Sequence, residues 1–249
     1  NERPNYIGHR AKIGVIVPST NTAVEYDLQK LNVPGVTRHP SRFWVESPAL
    51  DSDDAFLYFL DLIRKEIPIS IRDVLTSNPS HIMMGMSAET FWDGTAGADE
   101  IGSRLSQKAG VSVSLGSDAA RAALEAVGAR QIGVLTPYWP VADERVRRYF
   151  TECGFTVRCV TGLKATSPIN IAAQSTETMS RVVFEMDNED IDTIVQVGTN
   201  LAMARLAGEL EQTLGKPVVA INTALYWHAL RQNGITDSVA GFGRLLEEL

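Results

Sequence analysis

The residues whose types and spacing could do chemistry sit where short apolar runs end. IVQVGTN, residues 194–200, delivers Gly198, Thr199 and Asn200 just past Val195 and Val197. IMMGMSAET, residues 82–90, delivers Gly85, Met86, Ser87 and Glu89 in the same manner. VIVPSTN ends on Ser19 and Asn21, and GVLTPYWP carries Tyr138. Hydroxyls, amides and backbone N–H groups at such ends can hold a carboxylate and stabilise charge that develops on it. A carboxylic acid at the rim of a dry cleft holds its proton more tightly and can act as general acid or base, worth roughly 10²–10⁴-fold in rate. Glu89 leads for that role, with Glu46 in RFWVES second.

Each of these residues also has a plain structural reading. Glu89 fits the first turn of a helix, where negative charge complements the dipole. Ser87 and Thr199 fit N-caps, Asn21 an Asx turn or cap, and Tyr138 a packed loop ring. Neither hydroxyl has a visible histidine base, so both read as hydrogen-bond donors rather than nucleophiles. His228 in ALYWHALRQNG reads as a packed or half-exposed helix residue. Trp44, Phe91 and Trp92 flank the candidate segments and could wall a ring-bearing substrate or simply join the core. ADERVRRYF is a solvated helix face with charges three and four apart.

The elements that must position these groups alternate along the chain. Apolar runs at 12–21, 81–90, 110–118, 131–140, 193–202 and 216–224 read as strands buried on both faces, and FTVRCV as a further strand. Amphipathic segments such as DAFLYFLDLIRKEI and MSRVVFEMDNEDI read as helices between them. The pattern recurs in order: GVIVP at Gly14 returns as GVLTP at Gly133, MGMS at Gly85 as VGTN at Gly198, and the helix ending at Gly128 as the one ending at Gly234. This predicts an α/β fold of two pseudosymmetric, Rossmann-like halves with mostly parallel sheets, residues 1–117 and 118–249, the C-terminal helix being free to pack on the first half. Ligands bind beyond the carboxyl ends of such strands, so four ends would converge on one cleft between the halves.

Bulk properties narrow the function. The chain has 249 residues, 44% of them hydrophobic and 21% charged, with a net charge of −7. That balance argues against broad attraction to nucleic acid or an anionic membrane. No apolar run approaches the ~20 residues of a spanning helix, and NERPNYIGHRAKIG does not read as a signal segment. The two cysteines, Cys153 and Cys159, do not make a disulfide scaffold, and His9, His39, His81 and His228 show no metal-ligand spacing. A cytoplasmic protein with no metal is the expectation.

The motifs IGVIVPSTNTAVEYD, TPYWPVADERV, INIAAQS and GTNL followed by LGKPVVAINTALYWHALRQNG resemble the aspartate/glutamate racemase superfamily, in its maleate cis-trans isomerase and arylmalonate decarboxylase branch. The resemblance spans nearly the whole chain. It implies catalysis without metal or organic cofactor on a small carboxylate or carbonyl substrate, and a homo-oligomer. It implies substrate binding by Asn21, Asn170 and Tyr138, with Met86 and Ser87 beside the first catalytic position. Relatives keep cysteines at two facing strand ends; here the matching positions are Gly85 and Gly198, so the two-cysteine mechanism does not transfer. Three functions stay open: an isomerase or decarboxylase with a non-cysteine acid or base, a hydrolase or hydratase of a small amide, cyclic imide or lactam using Glu89-activated water, and a non-catalytic carboxylate binder.

Overall fold

Every strand marked by an apolar run is present, and one that no apolar run marks completes the set. The computed structural model describes residues 6–50 and 52–249, so the first five residues of the stretch read for a signal segment lie outside it. One sheet comprises β1 (Ala11–Pro18), β2 (Val36–Phe43), β3 (His81–Met84) and β4 (Ser112–Ser114), in the order β2-β1-β3-β4. The other comprises β5 (Gln131–Thr136), β6 (Thr156–Gly162), β7 (Thr193–Gln196) and β8 (Val218–Ala220), in the order β6-β5-β7-β8. All pairings are parallel. The shared order puts Gly14 and Gly133 on equivalent strands, and Gly85 and Gly198 just past equivalent strands.

Helices cover both faces of each sheet. They are α1 (Ala23–Lys30), α2 (Asp53–Leu75), α3 (Ala88–Phe91), α4 (Gly94–Ala109), α5 (Gly116–Ala126), α6 (Pro140–Glu152), α7 (Pro168–Ala172), α8 (Thr176–Met186), α9 (Ala204–Leu214), α10 (Ile221–Gln232) and α11 (Arg244–Glu247). Central strands are therefore apolar without alternation: Ile13, Val15, Ile16 and Val17 of β1 are all buried. Burying each such side chain contributes on the order of 1.5–3 kcal/mol. β2 lies at a sheet edge, where one side needs no ladder partner, so it tolerates Pro40 and carries Arg38, His39 and Arg42.

The two halves exchange their last helices. α5 leaves β4 and packs on β7, β8 and α10; α10 leaves β8 and packs on β3, β4 and α5. The expected boundary after residue 117 thus falls inside α5, a helix that follows the first sheet's last strand and packs on the second sheet. α10 is buried on almost every side from Ile221 to Trp227, as a helix between two layers must be. His228 on this helix binds Ser114 Oγ through Nδ1 at 2.7 Å, and the same oxygen meets His81 Nε2 at 2.7 Å. His228 is a packing residue far down the strands from their carboxyl ends, since β3 begins at His81.

Candidate active site

Four βα turns, two from each half, meet at one place. The turn after β1 brings Asn21, that after β3 brings Met86 and Ser87, that after β5 brings Tyr138, and that after β7 brings Gly198, Thr199 and Asn200. All of these line a single cavity of about 40 Å³. At ~30 Å³ per water in the liquid, it has room for about one. A strand must stop here because its next residues leave the sheet, and the freed backbone and short polar side chains then face whatever lies between the halves.

The polar groups satisfy one another across the cleft. Asn21 Nδ2 donates to Thr199 Oγ1 at 3.2 Å and to the Gly85 carbonyl at 3.4 Å. Thr199 Oγ1 donates to the same carbonyl at 3.1 Å, while the Thr199 N–H donates to Ser87 Oγ at 3.3 Å. Ser87 Oγ lies 3.2 Å from the Tyr138 hydroxyl. Donors from both halves therefore converge at this place. Burial pushes the Tyr138 hydroxyl well above its usual range, so it stays protonated at neutral pH and can donate. Its ring meets that of Phe56, from α2, edge-on at 5.8 Å.

Asn21 does two jobs. Its Oδ1 accepts from the N–H groups of Ala23 and Val24 at 3.1 Å, closing the first turn of α1, while its Nδ2 faces the cavity. The cap reading holds, and the same side chain also lines the cavity. Asn200 is the matching cross-link. Its Oδ1 accepts from Thr22 N–H at 3.0 Å and its Nδ2 donates to the Pro168 carbonyl at 2.8 Å. The turn of the second half is thus tied to α1 of the first.

The two glycines have steric reasons. A Cβ on Gly85 would lie 2.5 Å from Val17 Cγ1 and 2.9 Å from the Ile16 carbonyl oxygen, inside β1 rather than in the cleft. Gly198 has φ +100°, and a Cβ there would lie 2.5 Å from Pro137 Cδ. Neither glycine leaves room for a side chain beside the cavity: Val17, Val24 and Pro137 fill those positions.

Other predicted site residues lie elsewhere. Glu89 is buried, but Arg64 Nε on α2 donates to its Oε1 at 2.6 Å, and it lines a groove of about 710 Å³ between α2 and α4. Burial raises its proton affinity and Arg64 opposes that, but the carboxyl does not line the Asn21–Tyr138 cavity. The larger groove lacks converging strand ends, and its acids and bases come from helix sides. Glu89 is thus not placed as the acid or base of this cavity, nor to activate water there. Asn170 shapes the start of α7: its Oδ1 accepts from Thr166 N–H at 3.2 Å and its own N–H donates to Ser167 Oγ at 3.1 Å. Ser19 turns towards β2, where its Oγ accepts from Val45 N–H at 3.0 Å. Glu46 and Trp44 are exposed, Phe91 packs edge-on against Tyr149, and Trp92 stacks on Phe56. In place of Asn170, α7 contributes Pro168 and Ile171 to the lining, and α2 contributes Phe59. Nothing in the sequence distinguished these apolar residues from core.

Neither cysteine lines the cavity. Cys159 sits on β6 opposite Gly133, and Cys153 ends α6. Burial raises both thiols, Cys153 to about 11, so neither is a thiolate at neutral pH. No Lys, Arg, Asp, Glu or His lines the cavity either, so its donors are all neutral. Among the described residues, no group of three His, Cys, Asp or Glu side chains is placed to hold a metal ion, and no helix is long and apolar enough to cross a membrane.

Known proteins share this arrangement of halves. The maleate isomerase of Nocardia farcinica is 23% identical over 244 residues, covering 95% of this chain and 96% of its own. The arylmalonate decarboxylase of Bordetella bronchiseptica is 26% identical over 170 residues, covering 67% of this chain and 70% of its own. Among solved structures, a cysteine-to-serine variant of the Nocardia farcinica maleate cis-trans isomerase with a covalently bound succinylcysteine intermediate superimposes with a TM-score of 0.85 at 21% identity, covering 96% and 98% of the two chains. A crystal structure of arylmalonate decarboxylase gives 0.77 at 21% identity, covering 96% and 100%. The sequence profile of the family described as arylmalonate decarboxylase matches residues 74–246, from the end of α2 to the last helix, and the chain belongs to that family.

Proposed function

We propose that this chain is a cofactor-independent enzyme of the decarboxylase or isomerase type, acting at the carbon next to a carboxylate in a small acid. One observation supports this reading above the others: neutral donors from four strand ends converge on a single cavity that holds neither a thiol nor a charged side chain. Asn21, Ser87 and Thr199 would hold the carboxylate. As a bond to the α-carbon breaks, its electron pair spreads onto that carboxylate as an enediolate. Preorganised neutral donors in a dry site stabilise such charge at little reorganisation cost. Tyr138 is the group that can return a proton to carbon. Its raised proton affinity keeps it protonated at neutral pH, and solvent would return a proton to the tyrosinate left behind.

Between the two chemistries, the site favours loss of a carboxyl group, which needs no base, over addition to an alkene. A relative of this chain carries a covalent succinylcysteine. Here no cysteine lines the cavity. Phe59, Met86, Pro168 and Ile171 give the cavity an apolar wall suited to a hydrophobic substituent. The hydrolase reading loses its base with Glu89.

The test is a panel of acids given to the purified chain, with carbon dioxide release followed for methylphenylmalonate and fumarate formation for maleate. Turnover of the malonate is expected, and Tyr138→Phe should lower kcat at least 10²-fold. Tight binding of the whole panel with no turnover of any member would refute the enzyme reading and leave a carboxylate binder.

A further inference from the structure

Behind the cavity lies a buried polar chain that the reaction does not use. Asp27, on α1 of the first half, is 1% exposed and accepts a hydrogen bond from Asn222 Nδ2 at 2.9 Å. Backbone N–H groups of Ala204 and Met203, at the start of α9, also bond to its carboxyl group. Asn222, in the first turn of α10, is equally buried. Its Nδ2 donates a second time, to the carbonyl oxygen of Thr199 at 3.0 Å. An amide nitrogen has two hydrogens, so both are spent. The amide cannot be turned round, because Oδ1 would then face two acceptors; as it stands, that Oδ1 is buried without a partner.

The Thr199 carbonyl belongs to the peptide that joins Thr199 to Asn200. Among the described residues there is no cis peptide, and in a trans peptide the C=O and N–H point in opposite directions. With its oxygen held back against Asn222, that peptide turns the Asn200 N–H the other way. Both residues line the cavity. A single chain thus runs from α1 through α10 to the β7 turn, joining one half to the other. An apolar pair would join them at lower cost than a buried carboxyl group, which points to a role beyond cohesion.

We infer that Asp27 and Asn222 are positioning residues: Asp27 orients the Asn222 amide, and that amide aims the Thr199–Asn200 peptide at the substrate's carboxylate. The inference rests on the proposed reading of the cavity. Asp27→Asn and Asn222→Ala are made in the full chain, and each is assayed with the acid that the wild type turns over. Asp27→Asn keeps the volume of the side chain and removes the charge. At pH 7 it should melt at or above the wild-type temperature, with kcat at least tenfold lower. Asn222→Ala should lose 10–100-fold in kcat, and the double variant should be no slower than the worse single one, since the two act as a unit. A slower enzyme of undiminished stability is a result that mere cohesion cannot produce. Folded Asp27→Asn with kcat within threefold of wild type would overturn the inference while leaving the function intact. If the wild type turns over no acid, the proposed function has failed instead. Malonate binding by calorimetry then decides: Asp27→Asn should bind at least tenfold more weakly, and an unchanged affinity would sink the positioning role.

Discussion

Asp27 makes a quantitative claim about stability as a function of pH. Burial pushes its pKa from 3.8 up to about 6, against the opposing hydrogen bonds from Asn222, Ala204 and Met203 and the charge of Lys30. Between these two values the folded chain holds more protons on this group than the unfolded chain does, so stability falls as pH rises through that window. The contribution is complete below about pH 4 and lost above about pH 6. A displacement of about two pH units corresponds to ~3 kcal/mol. His81 acts in the opposite sense: burial and His228 depress its pKa to about 4, so its contribution is present above about pH 6.5 and lost as pH falls to 4. The wild-type curve alone therefore mixes opposed effects, and the difference between wild type and Asp27→Asn isolates one. Urea unfolding at pH 4, 5, 6 and 7 should show the variant gaining ~3 kcal/mol on the wild type across the series, about 6–12 °C in melting temperature for a chain of this length. How the new amide packs sets an offset common to all pH values, not the slope. A difference that stays flat within 1 kcal/mol would mean that Asp27 ionises normally in the folded chain, and the burial argument would fail.

Three further outcomes follow from the placement of other residues. Gly198→Ala should destabilise the fold by on the order of 2–5 kcal/mol, from a strained φ and an overpacked Pro137; Gly85→Cys should cost ~1–3 kcal/mol against Val17. Urea midpoints check both, and a change below 0.5 kcal/mol at Gly198 would show that the turn relaxes freely. Replacing Cys153 and Cys159 together by serine should leave turnover within twofold, because neither thiol reaches the cavity; complete loss of activity in a folded double variant would contradict that. Glu89→Gln should change kcat less than threefold, since the carboxyl group is engaged by Arg64 in a separate groove, and a loss above tenfold would return it to the chemistry.

Apolar runs without alternation are forced on strands covered on both faces, so β1, β3, β5, β7 and β8 were legible from composition alone, as was the repeat that predicts equal strand order; β4, read with them as buried on both faces, is instead a short edge strand whose first residue is exposed. β2 was not legible, because an edge strand is free to carry Arg38, Pro40 and Arg42. Strand ends are local events, so Asn21, Ser87, Tyr138, Thr199 and Asn200 could be named from their own neighbourhoods. Direction is not local. Glu89 stands two residues from Ser87, yet helix geometry turns it to Arg64 and a different groove. Asn170 follows the right motif, but its Oδ1 accepts from Thr166 at the start of its own helix and it does not line the cavity. The partnership of Asp27 with Asn222 joins residues 195 positions apart. The order of residues along the chain determined which groups end up at the tips of the strands. Only the packing of one half against the other decided which of them share a cavity, because side-chain direction and long-range partnership are set by contacts that no short stretch of sequence contains.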